Sequence, residues 1–322
     1  MNGRTPGEAA EGFACSIASL KPGEVWEAAG KFIKSPDPIA KATVEFDPGH
    51  QTRNPGFDLR AALGMVGVMN EPPRTDSPAA RLSPHRPLPE FYPASLERQS
   101  YINQLFDEAA PDYDWVSSMM SLGRDKFYRR EALRKAGLTA EMRLLDVASG
   151  TGLMIRGALA LGVNPANVTG VDPSRGMLAQ NPERDRVTLL EGRGEALPCA
   201  DATFDFVCMG YALRHVEDLR TLFGEFHRVL RPEGRVLILE ITRPASAMAL
   251  RLMRFYMQTV VPCTGWLRRR NRSTMKLMQY YWATIAECVP PPVILSALEA
   301  SGLRDVKRTT TGPVLSEYFA RR

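Results

Sequence analysis

The sequence predicts an α/β fold: a doubly wound, mostly parallel, seven-stranded sheet with a helical segment before it and a helical insert after its fifth strand. Three observations predict it. From Met142 onward, short apolar or β-branched runs alternate with helix-forming stretches, the pattern of a parallel sheet covered on both faces. The run Leu144-Leu145-Asp146-Val147 ends in small residues and two glycines, Ala148-Ser149-Gly150-Thr151-Gly152, as when a strand feeds a tight turn whose backbone approaches a ligand. A second strand-like run, Val168-Thr169-Gly170-Val171, delivers a carboxylate, Asp172, to the same end of the sheet.

The elements follow in order. Residues 1–94 are rich in Pro, Gly and Ala and read as an extended or poorly ordered N-terminal region. The stretch from Glu71-Pro72-Pro73 to Pro87-Leu88-Pro89 looks like a linker, and short pieces such as 17–26 suit a helix but build no core. Met69 opens the Pro-rich stretch, so the first 68 residues are an expected dispensable or untranslated extension. Residues 95–140 read as helical, with Leu105, Phe106 and Ala109, then Trp115, Met119 and Met120, then Phe127, Tyr128 and Leu133, and Gly137 as a stop. Residues 141–322 carry the sheet. Strands are expected at 143–147, 167–171, 186–190, 204–210 and 235–241, with helices starting near Gly152, Ser174 and Asp218. Arg231-Pro232-Glu233-Gly234 reads as a turn leading into the fifth strand. After the insert at 245–290 come a helix at 293–301 and a last pair of strands at 303–310 and 314–320. In such a sheet the ligand sits at the carboxyl ends of the strands, where the strand order reverses.

Composition narrows the class. The chain has 322 residues and a hydrophobic share of 44%, ordinary for a globular protein. No apolar run approaches the roughly 18–20 residues needed to span a bilayer. The N-terminus lacks a signal pattern, and Glu8, Glu11, Glu24 and Glu27 argue against a transit peptide. Cys15, Cys199, Cys208, Cys263 and Cys288 are scattered and form no C-x-x-C pair, which predicts reduced thiols, no metal site and a cytoplasmic protein. Charge is uneven. Arg251, Arg254, Arg268, Arg269, Arg270, Arg272 and Lys276 lie between Ala245 and Gln279 without one acid, and exceed the net charge of +5. Such clustering reads either as a partner surface or as a solvated loop.

The turn after the first strand departs from the dinucleotide fingerprint G-x-G-x-x-G and has no P-loop lysine, so pyrophosphate binding is not expected. A small-residue turn plus an acid for a ribose diol fits S-adenosylmethionine (SAM) better. Further motifs follow in order: Gly170-Val-Asp172-Pro-Ser-Arg-Gly-Met-Leu178, Glu195-Ala-Leu-Pro198 with Phe204-Asp205, Leu213-Arg214-His215-Val216 and Arg228-Val-Leu-Arg-Pro232. Together with Asp146 to Gly152 they resemble the ubiquinone/menaquinone biosynthesis C-methyltransferase family, within the class I SAM-dependent methyltransferases with their Rossmann-like sheet. The helical stretch Phe106-Asp-Glu-Ala-Ala-Pro-Asp-Tyr113-Asp114 and Met120-Ser-Leu-Gly123 are similar to that family's N-terminal motif. The resemblance runs from about residue 101 to the end.

The resemblance implies roles. Asp146 and the turn Ser149, Gly150, Thr151 and Gly152 would hold the methionine end of SAM, and Asp172 would take the ribose hydroxyls. Arg193 and Gly194 fall where the family usually has Asn-Ala beside the adenine; arginine cannot accept from the adenine amino group, but the Gly194 N–H could serve a ring nitrogen. Gly210 stands where a serine is usual. Methyl transfer is an in-line displacement that depends on alignment and exclusion of water. A quinol ring carbon must also be activated by loss of a hydroxyl proton from a phenol of pKa about 10. Arg214 suits stabilisation of the phenolate. His215, where asparagine is usual, suits either a base or a capping and packing residue. Tyr113 and Asp114 would sit over the site in an N-terminal lid, with Tyr113 touching substrate.

The insert completes the reading. Residues 248–261 are nearly all apolar apart from Thr259 and a stripe of Arg251, Arg254 and Gln258. That suits either a buried helix or a lipid-handling one. Trp266 with Arg268, Arg269, Arg270 and Arg272 would dock on an anionic membrane surface, at about 1 kcal/mol per basic residue. The expected activity is therefore SAM-dependent C-methylation of a quinol or other lipophilic aromatic, without a nucleic-acid partner, at the inner face of the membrane, with a homodimer left open. Another phenolic acceptor, a lipid amine, or a non-catalytic scaffold of a biosynthetic complex stand as alternatives.

Overall fold

The computed structural model of the protein describes residues 81–92, 98–269 and 273–322. Seven strands form one sheet in the order β3-β2-β1-β4-β5-β7-β6. They are β1 (Leu144–Val147), β2 (Val168–Asp172), β3 (Thr188–Glu191), β4 (Phe204–Gly210), β5 (Leu230–Ile241), β6 (Arg304–Thr311) and β7 (Leu315–Arg321). The first five run parallel; β7 pairs antiparallel with both β5 and β6. Chain order runs outward from β1 to β3 and then back across to β4 and β5. The reversal therefore lies between β1 and β4, and the carboxyl ends of these strands open a crevice there.

Burial explains the pattern. Every residue of β1 is buried, as a central parallel strand requires. One face is covered by α3 (Asp125–Lys135) and α4 (Leu153–Leu159), through Leu133, Ile155 and Ala158. The other is covered by α6 (Leu219–Val229) and α10 (Pro291–Ala300), through Leu222, Phe223, Phe226 and Leu298. Helix starts match the capping chemistry. The Asp218 side chain accepts from the Arg220 N–H, and that of Ser174 accepts from Met177 at the start of α5 (Arg175–Ala179).

The expected helical stretch before the sheet is three helices. Ala110-Pro111-Asp112 form a 3-10 turn between α1 (Arg98–Ala109) and α2 (Tyr113–Ser121), and Leu122 and Gly123, at φ 54° and 74°, end α2. The last helix, α3, stops at Gly137, whose φ of 82° suits the left-handed position beyond a helix end. The turn expected at Arg231-Pro232-Glu233-Gly234 lies inside β5 as an irregularity. Leu230 already pairs with Phe204, pairing resumes at Phe206 with Arg235, and Glu233 takes φ 64°.

The insert comprises α7 (Ala247–Phe255), a π-helical turn at Tyr256–Val260, α8 (Val261–Arg269) and α9 (Ser273–Glu287). Its Met257, Val261, Leu277 and Tyr280 pack with Ile102, Leu105 and Val116 of α1 and α2 into one apolar cluster. Leu88 and Tyr92, from the N-terminal stretch, join the same cluster. In contrast, α7 buries none of its residues.

Candidate active site

The β1 turn and Asp172 meet through the backbone. Ala148 and Gly150 both take positive φ, 56° and 52°, and the Ser149 N–H donates to the Val171 carbonyl at 3.1 Å. This aims the Gly150 N–H at Asp172 Oδ2, 2.8 Å away, while the Ser174 N–H reaches Oδ1 at 2.8 Å. A side chain at Gly150 would put its Cβ 2.9 Å from the Met177 methyl. Burial pushes Asp172 up to about 6, against the pull of the Ser174 and Gly150 N–H groups. Each carboxylate oxygen keeps a further lone pair for a ligand hydroxyl.

A cleft of about 870 Å³ opens between these residues and the helices above them. Asp146, Ser149, Gly150, Thr151, Asp172, Arg193, Gly194, Gly210, Tyr113 and His215 all line it, so ten of the twelve expected site residues come together. Three buried polar atoms on its walls have no hydrogen-bond partner among the described residues: Asp146 Oδ2, Ser149 Oγ and His215 Nε2. Burial pushes Asp146 up to about 7, with the Cys208 thiol, 3.4 Å from Oδ1, and Arg129 pulling the other way. A cationic donor such as the methionine ammonium of SAM would satisfy both the orphaned oxygen and the unfavourable charge.

Gly152 and Arg214 do not line this cleft. Gly152 caps the start of α4 at φ 81°, and a Cβ there would meet the Asn181 amide at 2.5 Å, so the turn has no room for a side chain. Arg214 is 0% exposed. Its Nε donates to Glu240 Oε1 at 2.8 Å and its Nη1 to Thr284 Oγ1 at 2.9 Å, and the guanidinium lies 5.4 Å from the centre of the Tyr281 ring. Its charge is thus neutralised behind Tyr281, on the wall of a neighbouring cavity.

His215 stacks against Tyr280 and Tyr281, with ring centres 5.4 and 5.7 Å apart, and meets Phe106 edge-on at 5.2 Å. Its Nδ1 lies 3.4 Å from the Tyr280 hydroxyl. Burial, then the charges of Arg214 and Arg98, hold its pKa well below that of an ordinary histidine. On the adenine side, Arg193 pairs with Glu217 at 3.1 Å and Glu195 at 3.6 Å, turning its charge away from any base.

The helices above the cleft are latched to the sheet. Asp114 accepts from Thr151 Oγ1 at 2.5 Å and from Arg156 Nη2 at 2.6 Å. Asp107 accepts from Ser174 Oγ at 2.5 Å and from the Gly176 N–H at 2.9 Å. Tyr113 lies between, its hydroxyl accepting from Tyr281 at 3.3 Å, and burial pushes its pKa up.

Sequence reading missed Arg129, Tyr211, Tyr280 and Tyr281. Arg129 is 3% exposed, bonds Asp125 Oδ1 through Nε at 2.8 Å, and stacks 4.7 Å from the centre of the Tyr211 ring. A Cβ at Gly210 would lie 2.5 Å from Arg129 Nη1. The missing serine at 210 is therefore the room this guanidinium occupies. That departure from the resemblance was the only signal pointing to it.

Known proteins place the chain. A model of the ubiE/COQ5 methyltransferase family matches residues 95–314. A ubiquinone/menaquinone biosynthesis C-methyltransferase UbiE of Syntrophotalea carbinolica is 34% identical over 221 residues, covering 66% of this chain and 91% of its own length. A demethylmenaquinone methyltransferase of Symbiobacterium thermophilum is 36% identical over 199 residues, 58% of this chain and 78% of its own. Another, of Chlorobaculum tepidum, is 38% identical over 169 residues, 51% and 69% respectively.

Proposed function

The chain belongs to the ubiE/COQ5 methyltransferase family and is a SAM-dependent methyltransferase; we propose that its acceptor is a ring carbon of a quinol with an apolar tail, as in ubiquinone and menaquinone synthesis. The observation that carries this reading is a cluster of rings, Tyr113, His215 and Tyr281, that lines the same cleft as Asp146 and Asp172. Flat rings stack on such a cluster, while the carboxylates suit the ammonium and ribose of the cofactor.

SAM supplies an electrophilic methyl group. The protein holds the two reactants in line and dry. Asp172, fixed by two N–H groups, would accept the ribose hydroxyls, and Asp146 with Ser149 would receive the methionine end. The latches of Asp107 and Asp114 hold α1 and α2 over the site and exclude water. Arg129, paired with Asp125 through Nε and stacked on Tyr211, has no hydrogen-bond partner at Nη1 or Nη2 among the described residues, and from the cleft wall these can meet an anionic oxygen. His215 offers Nε2 to the acceptor hydroxyl as a neutral hydrogen-bonding group, since its surroundings oppose the imidazolium. Arg214 acts as a positioning residue, holding Tyr281 and the turn Leu213–His215 through Glu240 and Thr284.

A docking role for the insert at the inner face of the membrane belongs to the same proposal. Among the described residues, no helix is long and apolar enough to cross a membrane. Met248 and Trp266 are 70% and 52% exposed, and Phe255 and Leu267 are exposed as well. Arg270 and Arg272 lie outside the described residues, as do the side chains of Arg268 and Arg269. Lys276 pairs with Glu108 at 3.6 Å, and Arg254 lies 5.9 Å from the Trp282 ring centre and donates to Gln258.

The test is mass spectrometry of products from a panel of benzoquinols and naphthoquinols with SAM, beside calorimetry with SAM alone. A gain of one methyl on a ring carbon is expected. SAM binding without methylation of any quinol would point to another acceptor, and no SAM binding to a scaffold.

A further inference from the structure

A second, mostly apolar cavity of about 480 Å³ adjoins the cofactor cleft. The two share four wall residues: Tyr113, Arg129, Tyr211 and Tyr281. Beyond that shared wall the cavity runs between α2, through Val116 and Met120, and the β6–β7 turn, through Val314 and Leu315, with Ile241 at the end of β5. Drug-sized sites occupy roughly 300–1,000 Å³, so this space has the volume of a ligand site in its own right, next to the cofactor cleft.

We propose that this cavity is the channel for the acceptor's apolar tail, entered at the shared wall and bounded by α2 and the β6–β7 turn. The inference rests on the reading of the acceptor as a tailed ring and says where the tail goes. A ring stacked beside Tyr113 and Tyr281 has the cofactor cleft on one side and this cavity on the other. A substituent directed away from the methyl donor therefore leaves through the cavity. At the shared wall Arg129 and the Tyr113 and Tyr281 hydroxyls offer hydrogen bonds to the ring end. Beyond it polar side chains such as Ser117, Arg124, Asp125 and Thr311 also line the cavity, but Val116, Met120, Ile241, Val314 and Leu315 make most of its surface apolar, which favours a hydrocarbon and makes no demand on its register. The outer face of α2 is fixed in turn by the insert, where the Tyr256 hydroxyl donates to the Met119 carbonyl at 2.7 Å. The docking element and the channel wall are thus one packed unit.

Met120 and Val314 are half-buried, on opposite walls, and bulk there narrows the cavity with little disturbance of the core. Met120→Trp and Val314→Trp should each lower the ratio of kcat/KM for a tetraprenyl quinol to that for a tail-free quinol by at least about 10-fold, since each buried methylene carries roughly a fourfold factor. A binding readout needs no quinol: geranylgeraniol, a tail without a ring, should raise the Tm of the wild type with SAM present and raise it less in both variants. No stabilisation of the wild type by the alcohol, or variants that keep both the wild-type shift and the wild-type ratio, would overturn the channel. If the alcohol behaves as expected while no quinol is methylated, the channel stands and the quinol reading fails. Two variants on different elements keep the test decisive should one misfold.

Discussion

Asp172→Ala tests the cofactor site most directly, because the structure gives both sides of its energetics. In the protein without cofactor the substitution removes a buried carboxylate held at about 6. Ionising it there, rather than near its ordinary value of about 4, costs about 3 kcal/mol. A group whose folded pKa is raised contributes stability below its unfolded pKa and loses it as pH rises through the folded value, so above about pH 6 the wild type bears that cost. Against this relief, the N–H groups of Gly150 and Ser174 lose their acceptor, at about 1–3 kcal/mol each. The two effects nearly cancel, and the Tm without SAM should move by only a few degrees at pH 8. Binding has no such compensation. The ribose hydroxyls lose a charged acceptor worth about 1.5–3 kcal/mol, so calorimetry should show SAM affinity falling about 10- to 150-fold. In the wild type, affinity should also weaken as pH drops through about 6 and the carboxylate is protonated; the variant should lose that part of the dependence. A folded variant that binds SAM as tightly as the wild type would refute the ribose assignment.

Three other outcomes follow from the same geometry. His215→Asn should lower turnover but keep the shape of the pH–rate profile between about pH 6 and 9, because the imidazole stays neutral throughout that range; loss of a limb near neutrality would restore His215 as the base. Arg214→Met should destabilise the fold by about 3–5 kcal/mol by stranding Glu240, and Glu240→Met in the same chain should recover much of it. A recovered, SAM-binding double variant with turnover more than about 100-fold down would show that the charge of Arg214 acts on the reaction. Arg268, Arg269, Arg270 and Arg272 replaced by Ser should abolish pelleting with anionic vesicles, which in the wild type should fade near 1 M salt as the Debye length shrinks to about 3 Å; a variant that pellets normally removes the docking role.

The sheet was legible because its signals are local. A parallel strand buried on both faces must be a short apolar run, and β1, β2 and β4 lie within a residue or two of where those runs predict them. Asp172 was legible for the same reason, since its two N–H partners lie within the turns that β1 and β2 feed. The irregular start of β5 was not, because Pro232 and Gly234 read as a turn while the pairing of Leu230 with Phe204 depends on a neighbouring strand.

Side chains brought in from a distance left no local mark. Tyr281 meets Tyr113 across 168 residues of chain, and Glu240, on β5, neutralises Arg214 in the turn after β4. Sequence reading therefore gave Arg214 the work of a free cation, whereas burial among fixed partners turns it into a strut. Arg129 is a different case: in Lys126-Phe127-Tyr128-Arg129-Arg130 it looks like one more charge on a solvated helix face, yet it is buried on the cleft wall, ion-paired with Asp125 through Nε and with no hydrogen-bond partner at its other two nitrogens among the described residues. Its trace lay elsewhere, in a glycine at 210 where the resemblance expects a side chain. An absent side chain at the end of a central strand is a cavity unless something fills it, and close packing requires that something does. Read that way, Gly210 was already pointing to a group reaching in from another element, and the geometry supplies it: Arg129 Nη1 lies 2.5 Å from where the Cβ would be.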